Sequence, residues 1–178
     1  HSREEMDELL EHLKGKEFQV DGVKVSERLK KNPLPFTTST LQQDASSKLN
    51  FATQKTMRIA QQLYEGVDIK GKGTAGLITY LRTDSTRISE EADASAKEYI
   101  REHYGEQYVG KASQAKKNDD KKVQDAHEAI RPTDMSLSPA SIKEQLSRDQ
   151  FRLYQLIWNR FTASRMAPAR YENTSVKI

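Results

Sequence analysis

Large apolar side chains return every three or four residues near the C-terminal end of this chain: Phe151, Tyr154, Ile157, Trp158 and Phe161. That spacing lies along one face of an α-helix, and the face must be buried against something. Ser147-Arg-Asp-Gln150 reads as a capping box that opens the helix, and Pro168 closes it. No other segment constrains the fold as strongly. Hydrophobic residues make up only 35% of the 178, against 31% charged, so the core built around this helix is modest under a large solvated surface. The length suits one domain, or one and a half.

Further helices follow from caps and periodicity. Arg3 to Lys14 sets Met6, Leu9, Leu10 and Leu13 on one stripe, with Gly15 where a helix would stop. Thr37, Thr38, Ser39 and Thr40 are candidate N-caps for a helix through Leu41, Ala45 and Leu49. A helix from about Thr53 to Glu65 presents Met57, Ala60 and Tyr64 along one face, and Gly66 ends it. Ser89 caps another, with Glu90, Glu91 and Asp93 in the first turn and Arg101 and His103 in the last, suiting the helix dipole. Ser138-Pro139 reads as a cap followed by proline at the first helical position.

Extended segments are fewer. Phe18 to Val25 alternates with period two, and Asp21-Gly22 makes either a hairpin turn or a bulge in one strand running to about Lys31. Asn32-Pro-Leu-Pro-Phe36 is a rigid linker, because each proline forces its predecessor out of the helical region; a domain boundary is expected there. Lys70 to Gly76 reads as a flexible basic loop, Leu77 to Arg82 as a short strand, and Gly110 to Asp125 as a mobile polar loop. Tyr171 to Ile178 turns extended again and is placed to pair with the strand near Phe18 to Val25. The outline is a mainly α chain, α+β overall, with a helical domain inserted between strands of a small β-rich one. Both ends look like cuts through a longer protein.

Twenty-nine Lys+Arg against 26 Asp+Glu is a mild excess, so binding to an anionic polymer has to rest on local pattern. The absence of Cys excludes disulfides and thiolate zinc sites and fits a reducing compartment. No apolar run approaches the roughly 20 residues that cross a bilayer, and no signal-peptide core is present.

Three segments carry chemistry. The first runs Gly-Leu-Ile-Thr-Tyr-Leu-Arg-Thr-Asp-Ser-Thr-Arg-Ile-Ser from Gly76 to Ser89. In a strand, Tyr80 and Arg82 share a face. Tyr80 is most cheaply explained as a strand tyrosine, and Arg82 as a surface cation. The sharper reading is a phenol nucleophile beside a guanidinium that stabilises both its anion and the charge gathering on an attacked phosphate. Arg87, Lys72 and Lys70 are near enough in sequence to hold the flanking backbone. The second segment, Asp125-Ala-His-Glu-Ala-Ile-Arg-Pro-Thr133, puts His127 and Arg131 in an ordered turn. A zinc site is a poor reading because no second His follows at the needed spacing; a lone His is more often a structural hydrogen-bonder, and the sharper reading is that His127 positions a phosphate or water or donates to an oxyanion. The third, Pro35-Phe-Thr-Thr-Ser-Thr-Leu-Gln-Gln43, sets Thr38 and Ser39 at a helix N-terminus suited to phosphates, with Gln42 and Gln43 as further polar contacts.

Together, in this order, the three segments strongly resemble bacterial DNA topoisomerase I, of the type IA topoisomerases, and the similarity runs over essentially the whole chain. The wording Thr-Tyr-Leu-Arg-Thr-Asp-Ser-Thr is closer to that branch than to topoisomerase III or reverse gyrase. The resemblance implies a transient nick in one DNA strand, with Tyr80 joined to the 5′ phosphate, passage of the other strand and resealing, which relaxes negative supercoils without ATP. Arg82 and His127 match positions that assist at the scissile phosphate. DNA contacts are expected from Thr38, Ser39, Gln42, Gln43, Lys72, Thr79, Arg82, Arg87 and Arg131. Residues 37–166 would be the helical domain bearing the tyrosine, with 1–36 and 167–178 belonging to a β-rich hinge domain and one long bulged strand near Asp21-Gly22. The family's Mg²⁺ sits in an acidic Toprim domain that has no counterpart here: no Asp-x-Asp cluster occurs, and Asp119-Asp120 is a poor substitute. Nor do the family's C-terminal DNA-binding repeats or zinc ribbons occur. No metal is therefore expected in this chain, which by itself should not cleave DNA. The implied partner is single-stranded DNA within negatively supercoiled duplex, the implied setting the bacterial cytoplasm and nucleoid, and the implied state a monomer with no membrane contact. The rival readings are a non-catalytic single-stranded nucleic-acid-binding module, with Tyr80 stacking on a base, and a tyrosine recombinase, whose nucleophile would join a 3′ phosphate.

Overall fold

The computed structural model describes residues 2–110 and 127–178. The mobile loop expected between Gly110 and Asp125 lies, from residue 111, outside the described residues. Two compact units make up the chain: residues up to 30 together with 169–178, and residues 31–168.

The first unit holds one helix and one strand pair. Helix α1, Arg3–Leu13, opens on a capping box between Ser2 and Glu5 and stops where Gly15 takes φ of +73°. Strand β1, Gly22–Lys30, pairs antiparallel with the chain's last strand, Ala169–Lys177, in unbroken register from Gly22↔Lys177 to Lys30↔Ala169. Asp21-Gly22 is therefore neither a hairpin turn nor a bulge. A bulge would set two residues against one, and every position here has a single partner. Phe18 to Asp21 stays outside the strand, apart from the Asp21 N–H donating to the Lys177 carbonyl at 2.8 Å. Pairing with the last strand thus takes in Gly22 to Val25 as expected, runs on to Lys30, and leaves Phe18 to Val20 outside the ladder.

In the second unit α2 (Thr38–Leu49), α3 (Thr53–Glu65), α4 (Glu90–Tyr104) and α5 (Arg148–Arg165) surround a common core. α5 buries Leu153, Tyr154, Ile157, Trp158 and Phe161 against a cluster that includes Leu41, Ile59, Leu63, Leu77, Leu81 and Ile130. The capping boxes at Thr37/Thr40 and Ser147/Gln150 are both formed. Pro35 and Phe36 are buried, so the end of the linker segment belongs to this unit's interior. α3 turns Thr56, Ile59, Ala60 and Leu63 inward; Met57 is only partly buried and Tyr64 is exposed. Ile59 and Leu63 join Ala60 in the core, so the buried face is shifted from the one expected from Met57, Ala60 and Tyr64 and leaves Tyr64 outside. Asp93 receives Arg165 across the α4–α5 packing at 3.1 Å, and Lys97 from one turn along its own helix at 2.5 Å. Burial pushes the Asp93 carboxyl up, but the hydrogen bonds and charges of Lys97 and Arg165 outweigh it and hold the group below its ordinary value.

Three sequence expectations fail in this unit. The basic loop is a hairpin of β2 (Val67–Ile69) and β3 (Gly73–Ala75), turned at Gly71 and Gly73 with φ of +83° and +72°. Leu77 to Arg82 is not a strand: Leu77, Ile78 and Leu81 are all buried, an apolar pattern that period two cannot satisfy, and only Ile78 makes a bridge, to Pro132. Ser138-Pro139 opens a single turn followed by a 3-10 turn at Lys143–Gln145. Too few residues separate it from the Ser147 cap for an independent helix to pay back its nucleation. The last strand of the first unit, Ala169–Lys177, is β4. The chain is α+β and predominantly helical, and no helix among the described residues is long and apolar enough to cross a membrane.

Candidate active site

Without a strand ladder, the backbone groups of the Tyr80 segment must find partners elsewhere, and they find them in the other two motif segments. The Leu77 N–H donates to the Leu63 carbonyl at the end of α3, at 2.7 Å. The Thr133 N–H donates to Leu77 O at 3.1 Å, and its hydroxyl to Gly76 O at 2.6 Å. A side chain at Gly76 would put Cβ 2.7 Å from the Tyr64 carbonyl oxygen, so only glycine lets the segment pass this close to α3. The Thr79 N–H donates to Arg131 O at 3.0 Å. On the other side, the Thr38 N–H donates to Thr83 O at 2.9 Å. The His127 segment is itself tied in, Ala129 N–H to Arg87 O and Ile130 N–H to Phe36 O, both at 2.8 Å.

Tyr80 stands out of this weave, 46% exposed, with its ring edge-on to that of Tyr64 at 5.4 Å between centroids. Arg82, two residues on, lines an open pocket of about 440 Å³ with Thr38, Ser39, Thr83, Asp84 and His127, and Tyr80 is not among the lining residues. Arg82 and His127 are both exposed, and among the described residues no carboxylate pairs with the Arg82 guanidinium. An unpaired guanidinium beside an imidazole and a helix N-terminus is a chemical environment for a phosphate. Tyr80 and Arg82 do not share a strand face; Tyr80 packs toward α3 and Arg82 toward the start of α2.

The remaining candidates divide sharply. Ser39 is exposed in the pocket. Arg131 is only 15% exposed: its guanidinium forms an ion pair with Glu128 at 2.6 Å and donates to Pro132 O at 3.0 Å. Lys72 pairs with Asp134 at 2.6 Å. Burial raises the Asp134 carboxyl, but the bonds from Lys72 and Ser136 bring it below its ordinary value. Gln42 is half-buried, Gln43 and Arg87 are exposed, and none of the three lines the pocket. Among the described residues no group of three or more His, Cys, Asp or Glu gathers as a metal site.

Sequence reasoning passed over Asp84, Thr83, Tyr64 and Glu128. Asp84 and Thr83 lay in plain view inside the Arg-Thr-Asp-Ser run. The Glu128–Arg131 pair has i,i+3 spacing that signals a local ion pair. Tyr64 carried no signal, because its partner Tyr80 is brought to it by the unpredicted hairpin between them.

The family model for DNA topoisomerase matches residues 1–178. The structure of full-length topoisomerase I from Thermotoga maritima matches with 45% sequence identity and a TM-score of 0.81, covering 99% of this chain and 27% of that one. The chain thus spans about a quarter of that relative's length.

Proposed function

Because this chain belongs to the bacterial type IA DNA topoisomerases, we propose that Tyr80 is the nucleophile with which a full-length enzyme opens one DNA strand. The observation that carries the reading is an exposed phenol on a segment held by both other motif segments, two residues before Arg82, which lines a pocket with His127. The phenol loses its proton and its oxygen attacks phosphorus. The bond from phosphorus to the 3′ oxygen breaks, leaving a 5′-phosphotyrosyl link, and the departing 3′ oxygen takes a proton to become a hydroxyl. Arg82 offsets the charge on the phosphate oxygens. His127, exposed in the same pocket, handles the proton at the leaving oxygen. Reversal by the 3′ hydroxyl reseals the strand after the other has passed, so the bond energy is conserved and no ATP is consumed.

The substrate is single-stranded DNA within negatively supercoiled duplex. Among the described residues no group of three or more acidic or metal-ligating side chains gathers; this reading places the family's Mg²⁺ with an acidic Toprim domain, to which no segment here is matched. The chain alone supplies the nucleophilic half and holds DNA without cutting it.

Tyr80→Phe in a full-length enzyme carrying this chain tests the proposal on an end-labelled single-stranded oligonucleotide with Mg²⁺. The unsubstituted enzyme should carry the 3′-end label into a covalent adduct, and Tyr80→Phe should form none. An adduct that survives the substitution removes Tyr80 as nucleophile. One that retains the 5′-end label instead points to 3′ attachment and the recombinase chemistry.

A further inference from the structure

Tyr80 and Arg82 sit on a stretch with no regular hydrogen-bonded ladder, yet a nucleophile and its assisting cation have to be held in register. Two threonine hydroxyls do this holding. Thr79, the residue before Tyr80, donates its hydroxyl proton to Ala129 O at 2.7 Å and accepts the Arg131 N–H at 3.0 Å. Thr38, at the start of α2, donates to Leu81 O at 2.7 Å and accepts the Thr83 N–H at 2.9 Å. The Thr38 bonds therefore bracket Arg82, and the Thr79 bonds fix the peptide leading into Tyr80.

A threonine hydroxyl has one proton and two lone pairs. Phosphate oxygens accept hydrogen bonds, so a DNA contact from either residue would need the proton that is already committed. We infer that Thr38 and Thr79 are positioning residues for Arg82 and Tyr80 and are not the DNA contacts that their place in the motifs suggests. The inference rests on reading Tyr80 as the nucleophile. Both threonines are half-buried, so water competes weakly for these bonds.

The test compares Thr→Val, which keeps the shape and removes the hydroxyl, with Thr→Ser, which restores it. In a full-length enzyme carrying this chain, Thr38→Val and Thr79→Val should each slow single-turnover cleavage at saturating oligonucleotide by about tenfold or more, since misplacement of reacting groups by about 1 Å costs on the order of a hundredfold. Dissociation constants for DNA should move by less than about twofold, and the serine variants should recover most of the rate. Weakened binding with an unchanged saturated rate would make these residues DNA contacts and overturn the inference. So would serine variants as slow as the valines. Should a valine variant not fold, amide exchange in the unsubstituted chain decides: the Thr83 and Arg131 N–H groups should exchange far more slowly than exposed loop amides, and rapid exchange overturns the inference. Tyr80→Phe runs alongside. Normal Thr→Val rates with no Tyr80→Phe adduct sink this inference alone, whereas an adduct surviving Tyr80→Phe removes the nucleophile on which it rests.

Discussion

The two units of this chain treat the same kind of side chain in opposite ways. In residues 31–168, Phe161, Ile157, Leu63 and Leu41 are fully or almost fully buried. In the unit of residues up to 30 and 169–178, Met6, Leu9, Leu10 and Leu13 on α1 and Val23, Val25 and Leu29 on β1 are all about half exposed or more. The stripe on α1 has helical spacing as regular as that on α5, and the alternation on β1 is regular too. Periodicity therefore sets the secondary structure in both units, but burial comes only where other elements converge. Two ion pairs show the same contrast. Asp93 joins α4 to α5 with about a quarter of its side chain exposed, whereas the Asp21–Lys177 pair beside the strand ladder is 62% and 80% exposed and contributes little.

The sharpest way to break this contrast is to empty the larger core. Phe161→Ala should destabilise the chain by about 3–5 kcal/mol in denaturant unfolding, because the cavity is walled by rigid helices and cannot collapse. A cost under about 1 kcal/mol would mean that the core around α5 is loosely packed in solution.

The second test acts through pH. Asp93 in the folded chain has its carboxyl pKa below the ordinary value of 3.8. Between the folded and unfolded pKa values the unfolded chain binds more protons, so stability rises with pH across that window. The contribution of Asp93 is complete above the unfolded value, near pH 4, and is lost as pH falls through the folded one. Asp93→Asn should therefore be less stable than the parent at pH 7, by less than the loss in Phe161→Ala, and the gap should close as the pH is lowered below about 4. A gap that stays constant down to pH 2 would show that packing, and not the charge shared with Lys97 and Arg165, holds α4 on α5.

Sequence carried the helices well because their ends have local chemistry. Thr37, Ser89 and Ser147 each cap the helix that follows, and Gly66 and Gly105 end two of them. It carried the Tyr80 segment poorly because nothing local organises it. Its hydrogen-bond partners are Leu63, Ala129, Arg131, Thr133 and Thr38, up to 57 residues away, and its buried set of Leu77, Ile78 and Leu81 does not alternate as a strand would. The identities of the site residues were legible from the motifs. Their tasks were not: Thr38, Thr79 and Arg131 look like free polar groups in sequence, and each is already committed to a carbonyl or a carboxylate in the fold.

The smallest effect is expected on α1. Leu10→Ala removes a large apolar side chain from a helical stripe, the same class of change as Phe161→Ala, yet Leu10 is 56% exposed. Alanine and leucine are both strong helix formers, so local propensity barely changes. The denaturant midpoint of the chain should move by no more than about 0.5 kcal/mol equivalent. A loss above about 1 kcal/mol would mean that the α1 stripe is covered in solution, which would erase the difference between the two units. With Leu10→Ala neutral and Phe161→Ala costly, identical spacing on two helices has opposite energetic weight, and the weight is set by what the rest of the chain brings to each face.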